Sequence, residues 1–162
     1  MRGYSAIGLF NPKRDINVGA VMRAAGNFGV SLVAYTGHRY THGCTDTMKT
    51  SRHIPLVRTE DLHNIIPFDC VPVAVELVPG ATPLWSYPHP ERAFYIFGNE
   101  DGTLGKAVLG WCRDVVFVPS WRCSNLAACV NVVLYDRTHK RREDYGAGDH
   151  NAALAHEALP RV

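Results

Sequence analysis

The sequence lacks three features that would assign a chain to a class at once: a long apolar run, paired cysteines and a strong net charge. No apolar stretch reaches the roughly 20 residues that cross a bilayer, and the start, MRGYSAIGLFNPKRD, lacks the extended apolar core of a secretory signal. The cysteines number five and form no CxxC pair, which argues against a disulfide framework and a structural zinc site. We therefore expect a soluble, cytoplasmic protein with no membrane partner and no metal cofactor.

Positive and negative charges nearly balance, with 17 Lys and Arg against 15 Asp and Glu. A nucleic-acid partner would therefore be held by a local basic patch and not by a global field. The 162 residues, 46% hydrophobic and 20% charged, are typical of a folded globular chain with one domain.

Short apolar runs bounded by Gly and Pro predict buried strands at 4–10, 31–36, 70–77, 93–97 and 114–118. Helices are predicted between and after them, at 18–28, 44–51, 59–66, 103–112 and 126–135. This alternation predicts an α/β fold with a mostly parallel sheet. We predict one domain over 1–137 and a tail over 138–162 that is charged, then polar, with at most one short helix.

The first predicted helix carries Arg23. A helical projection points one apolar stripe toward the core: Val18, Val21, Met22, Ala25 and Phe28. Arg23 falls on the opposite side near the small residues Gly19 and Ala20, where a ligand or a second chain could approach closely. Most helix arginines are simply solvated, so this position alone does not indicate chemistry.

Two loops, IFGNEDGTLG (96–105) and VPSWRCSNLA (118–127), each join a predicted strand to a predicted helix. In parallel α/β sheets, ligands bind beyond the carboxyl ends of the strands, where both loops should lie. The glycine spacing matches neither GxGxxG nor a P-loop, which disfavours a phosphate-cradling site and a Rossmann-type enzyme. Asn125 could act simply as a helix N-cap.

In chain order the motifs are Asn17-x-Gly19-x-x-x-Arg23, Phe97-Gly98-x-Glu100 followed by Leu104, and Val118-Pro119 with Asn125 ahead of an apolar helix. With these motifs the sequence resembles the SpoU/TrmH family of RNA ribose 2′-O-methyltransferases, part of the SPOUT superfamily, over about residues 5–137. It is most similar to the minimal, single-domain members. The resemblance implies helices on both faces of the sheet and a C-terminal deep trefoil knot. It also implies S-adenosylmethionine as the methyl donor and a homodimer that completes the site.

The resemblance further implies a role for individual residues. It places the donor against Val75, Glu76, Leu77, Gly98, Glu100, Val118, Cys123 and Asn125. It makes Arg23 the catalytic residue, with Asn17 and Asn125 beside it. A ribose hydroxyl must lose its proton as it attacks, and arginine is a very poor base. Arg23 would therefore orient the hydroxyl against an RNA phosphate and assist the departure of the proton.

One departure from the family pattern keeps an alternative open. The family usually has Ser-Leu-Asn where this chain has Cys123-Ser124-Asn125. A knotted RNA-binding protein that has lost catalysis is therefore an alternative interpretation. Among active enzymes, the minimal members suggest transfer RNA as the substrate, with ribosomal RNA as the alternative.

The candidate RNA contacts are basic residues, chiefly Arg14, Arg52, His53 and Arg122, with Lys13, Arg39, Lys49 and the run 139–142 as further choices. The pattern His38-x-x-x-His42-x-Cys44 lacks a fourth metal ligand nearby. Trp85 and Tyr87 are expected to pack against other side chains, with stacking on a base as the alternative.

Overall fold

A computed structural model describes residues 3–40, 50–122 and 124–141 of the chain. Within these residues a seven-stranded sheet contains β1 (Tyr4–Leu9), β2 (Leu32–Tyr35), β3 (Leu56–Arg58), β4 (Val71–Val75), β5 (Thr82–Pro83), β6 (Arg92–Phe97) and β7 (Asp114–Phe117). The strand order is β3-β2-β1-β6-β4-β7-β5, and every pairing is parallel. The predicted α/β fold with a mostly parallel sheet is confirmed.

Three α-helices accompany the sheet in the described part of the chain: α1 (Asp15–Asn27), α2 (Gly105–Leu109) and α3 (Leu126–Arg141). Helices α1 and α3 pack together on one face, against side chains such as Tyr95 and Phe97. The opposite face, with Phe94 and Ile96, packs against α2 and the loop around Leu62. Side chains alternate between the two faces of a strand, and both faces are covered, so β6 is buried on both sides, as its continuous apolar sequence predicts.

The prediction of a helix at 59–66 is wrong. The structure has β3 just before it and a single 3₁₀ turn at His63–Ile65. The Thr59 hydroxyl donates to the Asp61 carbonyl oxygen at 2.9 Å, and Asp61 Oδ1 accepts the His63 N–H at 2.9 Å. Such local side-chain bonds offer the backbone an alternative to the helical ladder.

The predicted helix at 126–135 is confirmed and is longer than predicted, since α3 continues through Arg141. The helix predicted at 103–112 is shorter than expected, at Gly105–Leu109. Most of the helix predicted at 44–51 lies outside the described residues, which show a 3₁₀ turn at Thr50–Arg52. The proposed boundary at residue 137 falls within α3, and residues 142–162 lie outside the described residues.

A buried polar network attaches the last turns of α3 to the segment before β6. The His89 ring contacts the Tyr95 hydroxyl through Nδ1 at 2.6 Å and Asp136 Oδ2 through Nε2 at 2.8 Å. Arg137, only 4% exposed, donates to the Tyr95 hydroxyl at 3.2 Å and to the carbonyl oxygens of Pro90 and Glu91 at 2.6 and 2.7 Å. The geometry fits a neutral His89 that donates through Nε2 and accepts from Tyr95.

Among the described residues, no helix is both long and apolar enough to span a bilayer.

Candidate active site

The carboxyl ends of β4, β6 and β7 lie side by side, and the loops that follow them enclose a cleft of about 530 Å³. The cleft is lined by the residues predicted to hold the donor: Val75, Glu76, Leu77, Gly98, Glu100 and Val118. Asn125 lies between Ser124 and Leu126, which also line it. Cys123 lies outside the described residues. The structure thus brings together motifs that are distant in the sequence.

Hydrogen bonds join one residue from each of the three motifs. Asn17 Nδ2 donates to Glu100 Oε1, and Asn125 Nδ2 donates to Asn17 Oδ1 at 3.0 Å. Asn125 Oδ1 in turn accepts the Ala127 N–H at 2.9 Å, which caps the start of α3. We call Glu100, Asn17 and Asn125 the bridging triad. It connects the start of α1, the loop after β6 and the start of α3.

Glu100 is an anchor in this triad. Besides Asn17, its carboxylate accepts the backbone N–H of Lys13 at 3.0 Å. Desolvation tends to raise the pKa of Glu100, but the hydrogen bonds from Asn17 and from backbone N–H groups outweigh it, so that the pKa lies below its usual value. Glu100 is therefore ionised at neutral pH and is poorly suited to accept a proton.

Asp101 holds two neighbouring loops at the same edge. Arg39 and Lys13 bind its carboxylate at 3.1 and 2.9 Å, and these hydrogen bonds hold the pKa of Asp101 well below its usual range. Lys13 and Arg39, both candidate RNA contacts, are thus paired with a carboxylate. The pairs are substantially exposed, so their contribution to the free energy of unfolding is small.

Glu76 shapes the wall of the cleft. Its Oε2 accepts the Leu104 N–H at 2.9 Å, and its backbone N–H donates to the Val116 carbonyl oxygen at 2.8 Å. A Cβ atom added at Gly98 would lie 3.6 Å from Glu76 Oε2. The Glu76 carboxylate therefore ties the loop after β4 to the loop after β6.

Asn99, in the same wall, leaves a buried acceptor unused. Its Oδ1 atom has no hydrogen-bond partner among the described residues. A Cβ atom added at Gly102 would lie only 2.6 Å from this oxygen, so glycine at 102 allows the loop to close over Asn99. Asn99 lines the cleft, and a buried acceptor without a protein partner requires a donor from a bound group or from water.

Arg23 is exposed on α1, as predicted, and Ala20 shares its side of the helix. Gly19, predicted on the same outer side, is buried instead. Asn17 is only 6% exposed, although it lies on the same helix. Helix α1 thus presents Asn17 to the bridging triad and Arg23 to the outside.

The candidate RNA contacts fall into two groups. Arg14, Arg52, His53 and Arg122 are all exposed, and Arg122 lines the cleft. Lys140, however, donates to Asp136 at 2.7 Å, and Arg141 donates to the His89 carbonyl oxygen at 3.1 Å. These two cations therefore hold α3 in place. Lys49 and Arg142 lie outside the described residues.

The remaining sequence candidates have mixed outcomes. Tyr87 is buried and donates to Asp114 at 2.8 Å, but Trp85, also predicted to pack, is 69% exposed. His38 contacts Arg58, whereas His42 and Cys44 lie outside the described residues. Within the described part of the chain, no group of three or more potential metal ligands occurs.

No motif of the sequence indicates Cys129 or Trp121 as residues of the cleft. Cys129 lines it, and burial raises the pKa of its thiol to about 11, so the thiol stays protonated and unreactive. Trp121 also lines the cleft, and its ring is fully exposed. For Trp121, the sequence offers one signal, since a tryptophan stands in a polar loop that follows a predicted buried strand.

The chain was compared with protein-family models, with curated protein sequences and with solved structures. The model of a family described as the SpoU rRNA Methylase family matches residues 5–135. A comparison with curated protein sequences found no match.

Solved structures match over most of the chain. The SpoU methyltransferase AviRb from Streptomyces viridochromogenes, in complex with AdoMet, superposes with a TM-score of 0.79 at 18% identity, over 88% of this chain and 62% of that one. The A. aeolicus TrmH/SpoU tRNA modifying enzyme gives a TM-score of 0.76 at 15% identity, over 88% and 79% of the two chains.

A third structure, described as giving insights into the 2-OH methylation of C/U34 on tRNA, gives a TM-score of 0.72 at 19% identity, over 86% and 97%. At these identities the similarity establishes the fold. The chain spans about three fifths of the length of AviRb.

Proposed function

Because this chain belongs to the SpoU rRNA Methylase family, we propose that it transfers a methyl group from S-adenosylmethionine to a ribose 2′-hydroxyl of RNA. The proposed substrate is transfer RNA, and ribosomal RNA is the alternative. The bridging triad carries the proposal, because it joins the helix of Arg23 to the loops of the cleft. The proposed compartment is the cytoplasm, where free thiols such as those of Cys70 and Cys129 persist.

The cleft fits the donor in size and chemistry. Its volume of about 530 Å³ lies within the range of small-molecule sites. Glycine at 102 leaves space for Asn99 in the wall of the cleft, and Asn99 Oδ1 would accept a hydrogen bond from an amine or a hydroxyl of the donor. When bound, S-adenosylmethionine supplies an electrophilic methyl group on a sulfonium. AviRb, which shares the fold, was solved with this compound.

We assign three chain elements to donor binding. Val75 is the last residue of β4, and Glu76 and Leu77 follow it in the next loop. Gly98 and Glu100 belong to the loop after β6 and Val118 to the loop after β7, with Cys123 and Asn125 completing the last loop. Glu76 joins the loops after β4 and β6 through the Leu104 N–H, and Glu100 joins the loop after β6 to the segment before α1 through the Lys13 N–H.

Arg23 is the proposed catalytic residue. Its guanidinium would bind a phosphate of the RNA and the ribose hydroxyl, which fixes the oxygen for in-line attack and stabilises the charge that develops on it. Asn17 and Asn125 set the position of α1 relative to the cleft. The low pKa of Glu100 argues that this carboxylate is not the proton acceptor.

A deep trefoil knot is proposed for the segment from β4 to α3. Strand β7 lies between β4 and β5 in the sheet. The connection 76–81 therefore passes beside the carboxyl end of β7, where Glu76 bonds to Val116. A chain end that returned through this connection would be knotted, which is exceptional among proteins.

A homodimer is proposed across the outer sides of α1 and α3, which pack next to each other. Ile16 on α1 and Val132 and Tyr135 on α3 leave large apolar surfaces exposed. Exposed apolar groups on two adjacent helices favour an interface with a second copy. Such a dimer would bring Arg23 of one protomer close to its partner.

The proposed RNA surface includes Arg14, Arg52, His53 and Arg122. All four are exposed, and each phosphate contact would add salt-dependent affinity.

The test is to incubate the protein with methyl-labelled S-adenosylmethionine and separate pools of unmodified transfer and ribosomal RNA, then digest the RNA and identify the labelled nucleoside. A ribose-methylated nucleoside from transfer RNA is the expected result. Label on a base, or no donor binding at all, would refute the proposal. Binding of donor and RNA without transfer would favour the catalytically inactive RNA-binding protein.

A further inference from the structure

Trp121 occupies an unusual position for a large apolar side chain. It lies in the loop between β7 and α3, its ring is fully exposed, and it lines the mouth of the cleft. An exposed indole gains nothing from the core, so its position is not explained by folding.

The loop holds Trp121 outward. The Ser120 hydroxyl donates to the Arg122 carbonyl oxygen at 2.8 Å, which closes a tight turn with Trp121 at its tip. Arg122, also exposed, follows directly and lines the same cleft. A flat aromatic ring beside a guanidinium is the combination that stacks an unpaired base and binds the adjoining phosphate.

We propose that Trp121 stacks on a base of the RNA substrate, at or next to the nucleotide whose ribose is methylated. The inference rests on the proposed function. RNA is favoured over the adenine of the donor because the indole faces solvent, whereas the donor would lie inside the cleft between the three loops. Trp121 is thus a specificity-determining residue that selects single-stranded, unstacked RNA.

Trp85 offers a matched control because it is also an exposed tryptophan. It lies in the 3₁₀ turn Leu84–Ser86, and Lys140 near the end of α3 donates to the Leu84 carbonyl oxygen. Helix α3 has 16 residues and is therefore about 24 Å long. Trp85 thus lies near the end of α3 that is remote from Trp121.

The experiment uses a variant whose only tryptophan is Trp121, made with Trp85→Phe and Trp111→Phe. Its fluorescence is titrated with S-adenosylmethionine alone, with the transfer RNA pool and with the ribosomal RNA pool, at several protein concentrations. We expect quenching by RNA and little change with the donor. Quenching by the donor alone would assign Trp121 to the donor site, and a signal that depended only on protein concentration would assign it to a contact between protomers. Either result would overturn the proposal.

The KM for RNA, measured by methyl-transfer kinetics, provides a second test. Trp121→Ala should raise the KM for RNA by about 10- to 100-fold, with the affinity for the donor unchanged, and Trp121→Phe should restore most of the loss. Trp85→Ala should stay within about twofold of the wild type. Normal donor binding and transfer by Trp121→Ala, with an unchanged KM, would refute the inference but leave the proposed function intact. A wild-type protein that binds the donor and no RNA would refute both.

Discussion

The start of α3 is joined through Asn125 to Asn17 and Glu100 beside an open cleft. In its last turns, Asp136 and Arg137 bind His89 and Tyr95 in a closed interior. The closed network pairs its donors with acceptors of the same chain. The open edge keeps a buried acceptor on Asn99 and an exposed indole on Trp121. The difference fits the proposed function, in which one end of the helix stabilises the fold and the other borders the site of methyl transfer.

The pKa values follow the same division. Burial lowers the pKa of His89 to about 4, although Asp136 partly opposes the change, and burial raises the pKa of Tyr95 to about 12. Both residues are therefore uncharged at neutral pH, as expected for groups that hold a core together. At the open edge, hydrogen bonds to Arg39 and Lys13 keep Asp101 ionised.

The largest stability effect should come from Arg137→Met. The substitution removes the donor to the Tyr95 hydroxyl and to the Pro90 carbonyl oxygen, and it leaves the Glu91 carbonyl oxygen with the Tyr4 N–H as its remaining described donor. We expect a loss of about 3 kcal/mol in the free energy of unfolding, measured by urea denaturation. Donor affinity of the folded variant should not change.

Arg113→Met is the matched control, because Arg113 is exposed and pairs with Asp114. It should cost less than about 1 kcal/mol. Equal losses in the two variants would show that the buried network of Arg137 stabilises the fold no more than an exposed ion pair does.

The next effect concerns pH. The ordinary pKa of histidine is 6.5, whereas in the folded protein that of His89 is about 4. Between these values the unfolded chain binds more protons, so stability is lost as the pH falls from about 6.5 to 4, by roughly 3 kcal/mol at most. Urea denaturation at several pH values checks this, and His89→Gln should show a flatter dependence. Identical slopes for both proteins would contradict the role of His89.

The smallest stability effect is expected at Asn125, where two substitutions distinguish its bond to Ala127 from its bond to Asn17. Asn125→Ala removes the cap of α3 and the bond to Asn17, and should cost about 1 kcal/mol. Asn125→Asp keeps an oxygen for the Ala127 N–H but loses the donor to Asn17. It should retain most of the stability and still lower the rate of methyl transfer. Full activity in Asn125→Asp would show that the bridging triad does not position the site.

Much of the sheet could be predicted because its strands are short apolar runs between glycines and prolines. The helix at 59–66 could not be excluded, since the bonds of Thr59 and Asp61 compete with a helix only in the folded geometry. The shared cleft followed from the rule that parallel strands end at one edge. The network of His89, Tyr95 and Arg137 was missed because Arg137 binds partners that lie 42 to 133 residues away in the chain and follow no periodic pattern.

Replacement of Arg23 by alanine tests the central claim most directly. Labelled methyl transfer to RNA would be measured under single-turnover conditions, with donor affinity and thermal unfolding measured on the same samples. Because Arg23 is exposed, the account predicts that transfer falls by about 10²- to 10⁴-fold, while donor affinity and the unfolding temperature stay at wild-type values. Transfer at the wild-type rate in Arg23→Ala would contradict it.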